Sequence, residues 1–121
     1  MNFFQRLIRK PAVLMVTLWA RHAYNMGVEA AEKRHAKEHC TIYLAEDSFK
    51  PGRLVTYNKL QFKTEKRVYG VSARLLTMNT LRSGSYYYTK DVLEQNGISK
   101  HDAIVRRKAF VKERLRKACL V

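Results

Sequence analysis

The stretch RHAKEHC, Arg34 to Cys40, holds the residue types of a zinc site: His35 and His39 stand four apart, with Glu38 between them. Histidines at i and i+4 share one helix face, so both rings can reach one cation, and a neighbouring carboxylate can act as general base. Glu113 is the downstream carboxylate that such a peptidase site would need as a third ligand, and His35, His39, Cys40 and Cys119 would make an alternative structural set. Two considerations weigh against both. No substrate-binding segment adjoins this strongly polar stretch, and the cysteines lack the close spacing of a zinc knuckle. A short motif with two free positions also arises readily in a charge-rich helix. The expectation is a helix end facing solvent or a polyanion, with no metal and no other cofactor. There is no glycine-rich phosphate loop and no Gly-x-Ser-x-Gly elsewhere, so no catalysis is expected.

The pattern along the chain names the elements that must position these groups. From about Pro11 to His39 the sequence reads as one long helix. Pro11 suits a first turn, and Ala30, Ala31, Ala36 and a Glu29–Lys33 pair strengthen the second half. Its first half is apolar and its second half charged. Residues 41–73 turn to strand signals: TIYLA is β-branched and aromatic, and Pro51-Gly52 marks a turn. The alternating runs 53–63 and 66–75 predict a β-hairpin with a basic outer face. From Leu75 the pattern returns to helix. A short one closes at Gly84, a second is capped by Thr89 and ends at Asn96-Gly97, and a third starts at Ser99 with Asp102 three residues on. In the last, Ile104, Val111, Leu115 and Ala118 recur at helical spacing, with cations in most other directions. The expected fold is α+β, with a long N-terminal helix, a small antiparallel β-hairpin and basic C-terminal helices, built of extended arms rather than as a compact globule. It divides into an N-terminal helical extension, 1–40, and a small basic α+β domain, 41–121.

Charge decides the class of partner. The 121 residues carry 24 Lys and Arg against 10 Asp and Glu, a formal net of +14. That excess repels itself in isolation and goes beyond what solubility requires, so it points to a polyanion. Lys and Arg neutralise phosphates and release counterions. The cations expected to bind RNA are Arg53, Lys59, Lys63, Arg67 and Arg74 around the hairpin, and Arg106, Arg107, Lys112, Arg116 and Lys117 on the last helix. Tyr86, Tyr87 and Tyr88 lie between basic residues, where rings can stack on bases, although packing is the stronger expectation for them. A DNA-reading helix would need side chains selected for base edges, and no such selection is visible. The two cysteines form no framework and read as reduced thiols.

The N-terminus bears on location. From Met1 to Val28 there is no Asp or Glu, while Arg6, Arg9, Lys10 and Arg21 are basic, the character of a mitochondrial targeting segment. The apolar run from Pro11 to Ala20 also mimics a secretory signal, but Arg21 and His22 follow where small residues would be cut. A bilayer span needs about 20 apolar residues, and Lys10 and Arg21 bracket half of that. The expected location is the mitochondrial matrix, with residues 3–20 meeting protein or the inner membrane.

A small basic chain with a long N-terminal helix and a cationic terminal helix resembles the mitochondrial ribosomal proteins. The resemblance implies a structural component that binds rRNA and neighbouring ribosomal proteins. Within that class, RLVTYNKLQ and YGVSARLLTMN, across residues 53–79, resemble the bacterial-type large-subunit ribosomal protein twenty-eight family through Asn58, Val71, Ser72, Arg74, Thr77 and Asn79. Tyr57 replaces that family's Pro and Leu76 its Arg, and the family's glycine-containing first half is missing. The competing class is an accessory subunit of an inner-membrane respiratory complex, for which Trp19 and Tyr24 would be interfacial anchors.

Overall fold

Helix α1 spans Phe3–Glu38 and is the spine of the molecule. The computed structural model describes residues 3–47, 50, 52–61, 64, 82, 84–90 and 97–120. After α1 come strands β1 (Ile42–Glu46), β2 (Leu54–Asn58) and β3 (Tyr87–Tyr88), then helix α2 (Lys100–Lys117). The fold is α+β: a long N-terminal helix, a three-stranded antiparallel sheet in the order β2-β1-β3, and a basic C-terminal helix.

α1 begins ahead of Pro11, not at it. A proline inside a helix withholds one N–H and crowds the preceding turn. Tertiary ties offset this cost: the Arg9 Nη2 donates to the Leu120 carbonyl at 2.7 Å, fastening the first turns to the far end of α2. Further on, the Tyr24 hydroxyl meets the Ala103 carbonyl at 3.2 Å, so the two helices run antiparallel along the length of α2. At its other end α1 closes with His39 in the left-handed region, φ 55°, its N–H donating to the His35 carbonyl at 2.8 Å. That is the single-bond left-handed C-cap, normally a glycine position.

The second half of α1 lies on the sheet. Gly27 makes this possible, because a Cβ there would stand 2.9 Å from both terminal methyls of the fully buried Leu44. Ile42, Tyr43, Leu44 and Ala45 are all buried, as expected for a central strand covered on both faces. Leu44 faces α1. Tyr43 faces the other way, in register with Tyr57 on one side and Tyr88 on the other, so three tyrosines line one row across the sheet. Where α1 meets α2, Ala20 and Tyr24 pack against Phe110 and Val111, and Tyr86 sets its edge on Phe110 at 5.3 Å between centroids.

The expected hairpin is described only in its first strand, and among the described residues β2 pairs with β1, upstream of it, with Ile42 opposite Asn58 and Glu46 opposite Leu54. The turn between them is the one that Pro51-Gly52 signalled: the Lys50 carbonyl accepts from the Arg53 N–H at 3.1 Å, with Gly52 at φ 94°. β2 stops at Asn58 because Asn58-Lys-Leu-Gln61 is a capping box. The Asn58 side-chain oxygen accepts from the Gln61 N–H at 2.8 Å, and Gln61 Oε1 accepts from the Asn58 N–H at 3.1 Å. Residues 59–61 are accordingly helical, not strand. The run 66–75 lies outside the described residues.

Two further expectations shift. Tyr87 and Tyr88 form a short strand paired with β1, and the Thr89 hydroxyl accepts from the Ile42 N–H at 2.9 Å; the helix expected after Thr89 falls at residues 91–96, outside the described residues. The helix expected to close at Gly84 falls mostly outside them too. α2 starts at its Ser99 cap as expected, with Ser99 Oγ accepting from the Asp102 N–H at 3.1 Å. Its buried seam is Phe110, Val111 and Arg114, whereas Ile104 and Ala118 are exposed. The seam follows the aromatic cluster around Tyr24, which outweighs the smaller Ile104.

Candidate nucleic-acid interface

Position sorts the arginines and lysines into those that hold the fold and those that face outward. Arg106 donates through Nη1 to the Arg82 carbonyl at 2.6 Å and the Ser85 carbonyl at 2.9 Å, and lies over the Tyr88 ring. Arg114 is buried on α2; its Nη2 meets Glu46 Oε1 at 2.6 Å, and the same carboxylate oxygen accepts from the Gly52 N–H at 2.9 Å. Arg34 pairs with Glu38 and reaches the Thr56 carbonyl at 2.8 Å and Gln61 Oε1 at 2.6 Å, joining α1 to β2 and its cap. The planar guanidinium suits this work, because its fork satisfies several acceptors at once.

A different set converges outside. Where α1 and α2 cross, a groove of about 270 Å³ has Thr17, Val111 and Leu115 in its lining, with Arg21, Arg107, Lys108 and Lys112 around them. Among the described residues no carboxylate lines it. Lys108 and Lys112 share a face at i, i+4, and Arg21 comes to them from the antiparallel α1. Four cations brought together without an acid repel one another, and an anion entering the groove relieves that repulsion. An uneven, open cleft with an apolar floor and a cationic wall follows a phosphate backbone and carries no information about base sequence.

The expected binding residues fare unequally against this arrangement. Arg107 and Lys112 line the groove. Arg106 does not; it is held by backbone carbonyls. Arg116 is tied to Glu113 at 2.7 Å, and that pairing holds the Glu113 carboxyl below its usual range. Lys117, Arg53 and Lys59 are exposed, Lys59 in the capped turn and Arg53 beside the start of β2, away from the groove. Lys63, Arg67 and Arg74 lie outside the described residues. Sequence reasoning missed Arg21 and Lys108. The i, i+4 spacing of Lys108 and Lys112 was available as a signal; the approach of Arg21 is tertiary and left none.

The tyrosines are packed. The Tyr24 hydroxyl donates to the Tyr86 carbonyl at 2.7 Å, and burial pushes its pKa up to about 12. Burial also raises Tyr86, and burial together with the Glu32 carboxylate, which accepts from the Tyr87 hydroxyl at 2.6 Å, raises Tyr87. The His-x-x-Glu-His letters resolve as a helix ending. His35 Nδ1 lies 2.8 Å from the Cys40 carbonyl and so carries the proton there, since a carbonyl only accepts. His39 has left the helix, so the two rings do not share a helical face. Among the described residues no three His, Cys, Asp or Glu side chains gather as a metal-holding group. Cys40 and Cys119 are free thiols, and burial raises the Cys40 pKa away from the reactive thiolate form.

No family model, no curated protein and no solved structure matches this chain.

Proposed function

We propose that this chain is a non-catalytic, RNA-binding structural subunit of a large ribonucleoprotein, of the mitochondrial ribosomal class, seated among rRNA and other ribosomal proteins. The observation that carries the reading is the groove of Arg21, Arg107, Lys108 and Lys112, with no carboxylate in its lining among the described residues. The net charge of +14 and the acid-free first 28 residues support it. Each phosphate neutralised steepens the dependence of log affinity on log salt by about 0.9. Arg107→Ala/Lys108→Ala/Lys112→Ala is therefore expected to flatten the slope for a duplex RNA probe by about three units, with helix content unchanged by circular dichroism. An unchanged slope would sink the groove as an RNA site. For the class, the chain is expected to co-migrate with a ribosomal subunit on sucrose gradients of lysed mitochondria, and ribonuclease is expected to abolish that co-migration.

The second reading, an accessory subunit of an inner-membrane complex, draws on the outward apolar side chains of α1. Among the described residues no helix is long and apolar enough to cross a membrane. Migration with a detergent-solubilised respiratory complex, indifferent to ribonuclease, would favour this reading over the first.

A further inference from the structure

The first half of α1 is apolar on both sides. One side meets α2 through Ala20 and Tyr24. The other presents Leu7, Leu14, Met15, Leu18, Trp19 and Met26, each between 53% and 71% exposed. This face is contiguous from Leu7 to Trp19, ~18 Å along the helix, with Leu14 and Trp19 at its two edges ~140° apart. Beyond Trp19 the exposed His22 and Asn25 fall within the same sector before Met26. A contiguous face of large apolar side chains on a soluble surface marks a site of interaction.

Charge tells what covers it. Lys10 and Arg21 are exposed and follow the Leu14 edge, and no Asp or Glu occurs in the first 28 residues. The first acid beyond is Glu29, which is paired with Lys33 at 3.4 Å. Near the other edge the face deepens between α1 and β2 into a groove of about 480 Å³. Trp19, Met26, Gly27 and Leu54 supply apolar walls, and among the described residues of the lining Arg53 alone is charged. Cations thus flank a hydrocarbon face on both sides, with an aromatic amphipath at its margin. This is the layout of a helix lying in the plane of an anionic bilayer, with apolar side chains among the acyl chains and cations on the headgroup phosphates. A second copy fits poorly, because two chains of +14 would meet with their Lys10 and Arg21 rows adjoining and no acid to pair them. A single protein groove takes a narrower stripe of anchors than six large side chains spread over ~140°.

We propose that this face of α1 docks the protein on an anionic lipid surface as an in-plane helix. The RNA groove and the lipid face adjoin along Arg21, so α2 keeps Lys108 and Lys112 free while the helix is bound. The inference shares only Arg21 with the RNA reading and does not depend on it.

Trp19 is the only tryptophan in the chain, so its emission reports this face directly. Full-length protein would be mixed with phosphatidylcholine vesicles with and without phosphatidylglycerol, followed by fluorescence and flotation, and with a duplex RNA probe in parallel. The expected result is a blue shift and flotation with the anionic vesicles. For Leu14→Ser/Leu18→Ser, which alters two half-exposed side chains, vesicle affinity is expected to fall roughly thirtyfold, the loss of two leucines' transfer into hydrocarbon. Its RNA binding is expected to be unchanged. Binding to anionic vesicles without a blue shift, or equal binding by the double variant, would overturn the proposal. So would a blue-shifted Trp19 in a lipid-free dimer, which would assign the face to a second copy. Because lipid and RNA are measured on the same samples, failure of lipid binding with RNA binding intact counts against this inference alone. Failure of RNA binding with lipid binding intact counts against the RNA reading alone.

Discussion

The Glu46–Arg114 pair offers the sharpest test of how the cations divide between fold and function. The Arg114 side chain is 9% exposed and that of Glu46 32%, with Nη2 and Oε1 2.6 Å apart. Glu46 Oε1 also accepts from the Gly52 N–H, and the Arg114 guanidinium lies 5.8 Å from the centre of the Phe110 ring. Arg114→Ala would remove the ion pair, the cation–π contact and a packed aliphatic stem, for a loss of ~3–4 kcal/mol. Glu46→Ala leaves the guanidinium without its carboxylate and the Gly52 N–H without its acceptor, a loss of ~3 kcal/mol. The pair itself is a charge-assisted bond with one partner partly wet, so a double-mutant cycle is expected to yield a coupling of ~2 kcal/mol. Urea unfolding followed by far-ultraviolet circular dichroism gives each corner of the cycle, in moderate salt to screen the net charge. A coupling below ~0.5 kcal/mol would refute the assignment of Arg114 to the scaffold. So would an Arg114→Ala protein that stays folded and loses as much RNA salt slope as Arg107→Ala, since that would make Arg114 a phosphate ligand.

Other outcomes follow from the same geometry. His39 and Cys119 both sit in the left-handed region, φ 55° and 59°, at the C-terminal ends of α1 and α2. His39→Gly and Cys119→Gly are each expected to raise stability by ~0.5–1 kcal/mol, read from the urea midpoint; destabilisation by His39→Gly would show that its ring, not its backbone, matters. Gly27→Val is expected to cost more than ~3 kcal/mol because two branches join a Cβ already too close to Leu44, and a neutral effect would mean that α1 does not sit on the sheet as described. The Tyr24 pKa is raised from 10.0 to about 12, so its contribution to stability is complete below pH 10 and is lost as pH rises toward 12. Tyr24→Phe is expected to shrink the fall in stability over that interval, and an identical alkaline profile would contradict the buried placement of the hydroxyl.

What could be read in advance was local. The alanines and i, i+4 pair of α1, the Ser99–Asp102 cap and the Pro51-Gly52 turn each signal through residues within a turn of one another, and each stands where it was expected. Pairing partners did not signal in that way. Runs 53–63 and 66–75 alternate, yet β2 takes the earlier TIYLA strand, and the Asn58–Gln61 capping box cuts the alternation after Asn58. The letters of that box are legible, but they sit inside an alternating pattern that signals strand more strongly. The roles of the individual cations are illegible in the sequence for a related reason. Composition counts a cation without saying what accepts from it, so Arg106, held by two backbone carbonyls, looked the same as Arg107 beside it. What separates them is the helical rotation of α2 against Tyr88 on one side and Arg21 on the other, which only the packed fold fixes.

The same antiparallel pairing of α1 with α2 sets a schedule for synthesis. Tyr24 waits for Ala103, Ala20 for Phe110 and Arg9 for Leu120, so α1 is completed only by residues far downstream of it in the chain. A nascent chain can coil α1 early, since helix formation is fast and local. It cannot bury the side of that helix that faces α2 until α2 itself has left the translating machinery. Until then the growing chain exposes the acid-free, largely apolar first half of α1, a substrate for chaperones and a hazard for association with its neighbours. Removing the last helical turns of α2 would make that transient exposure permanent.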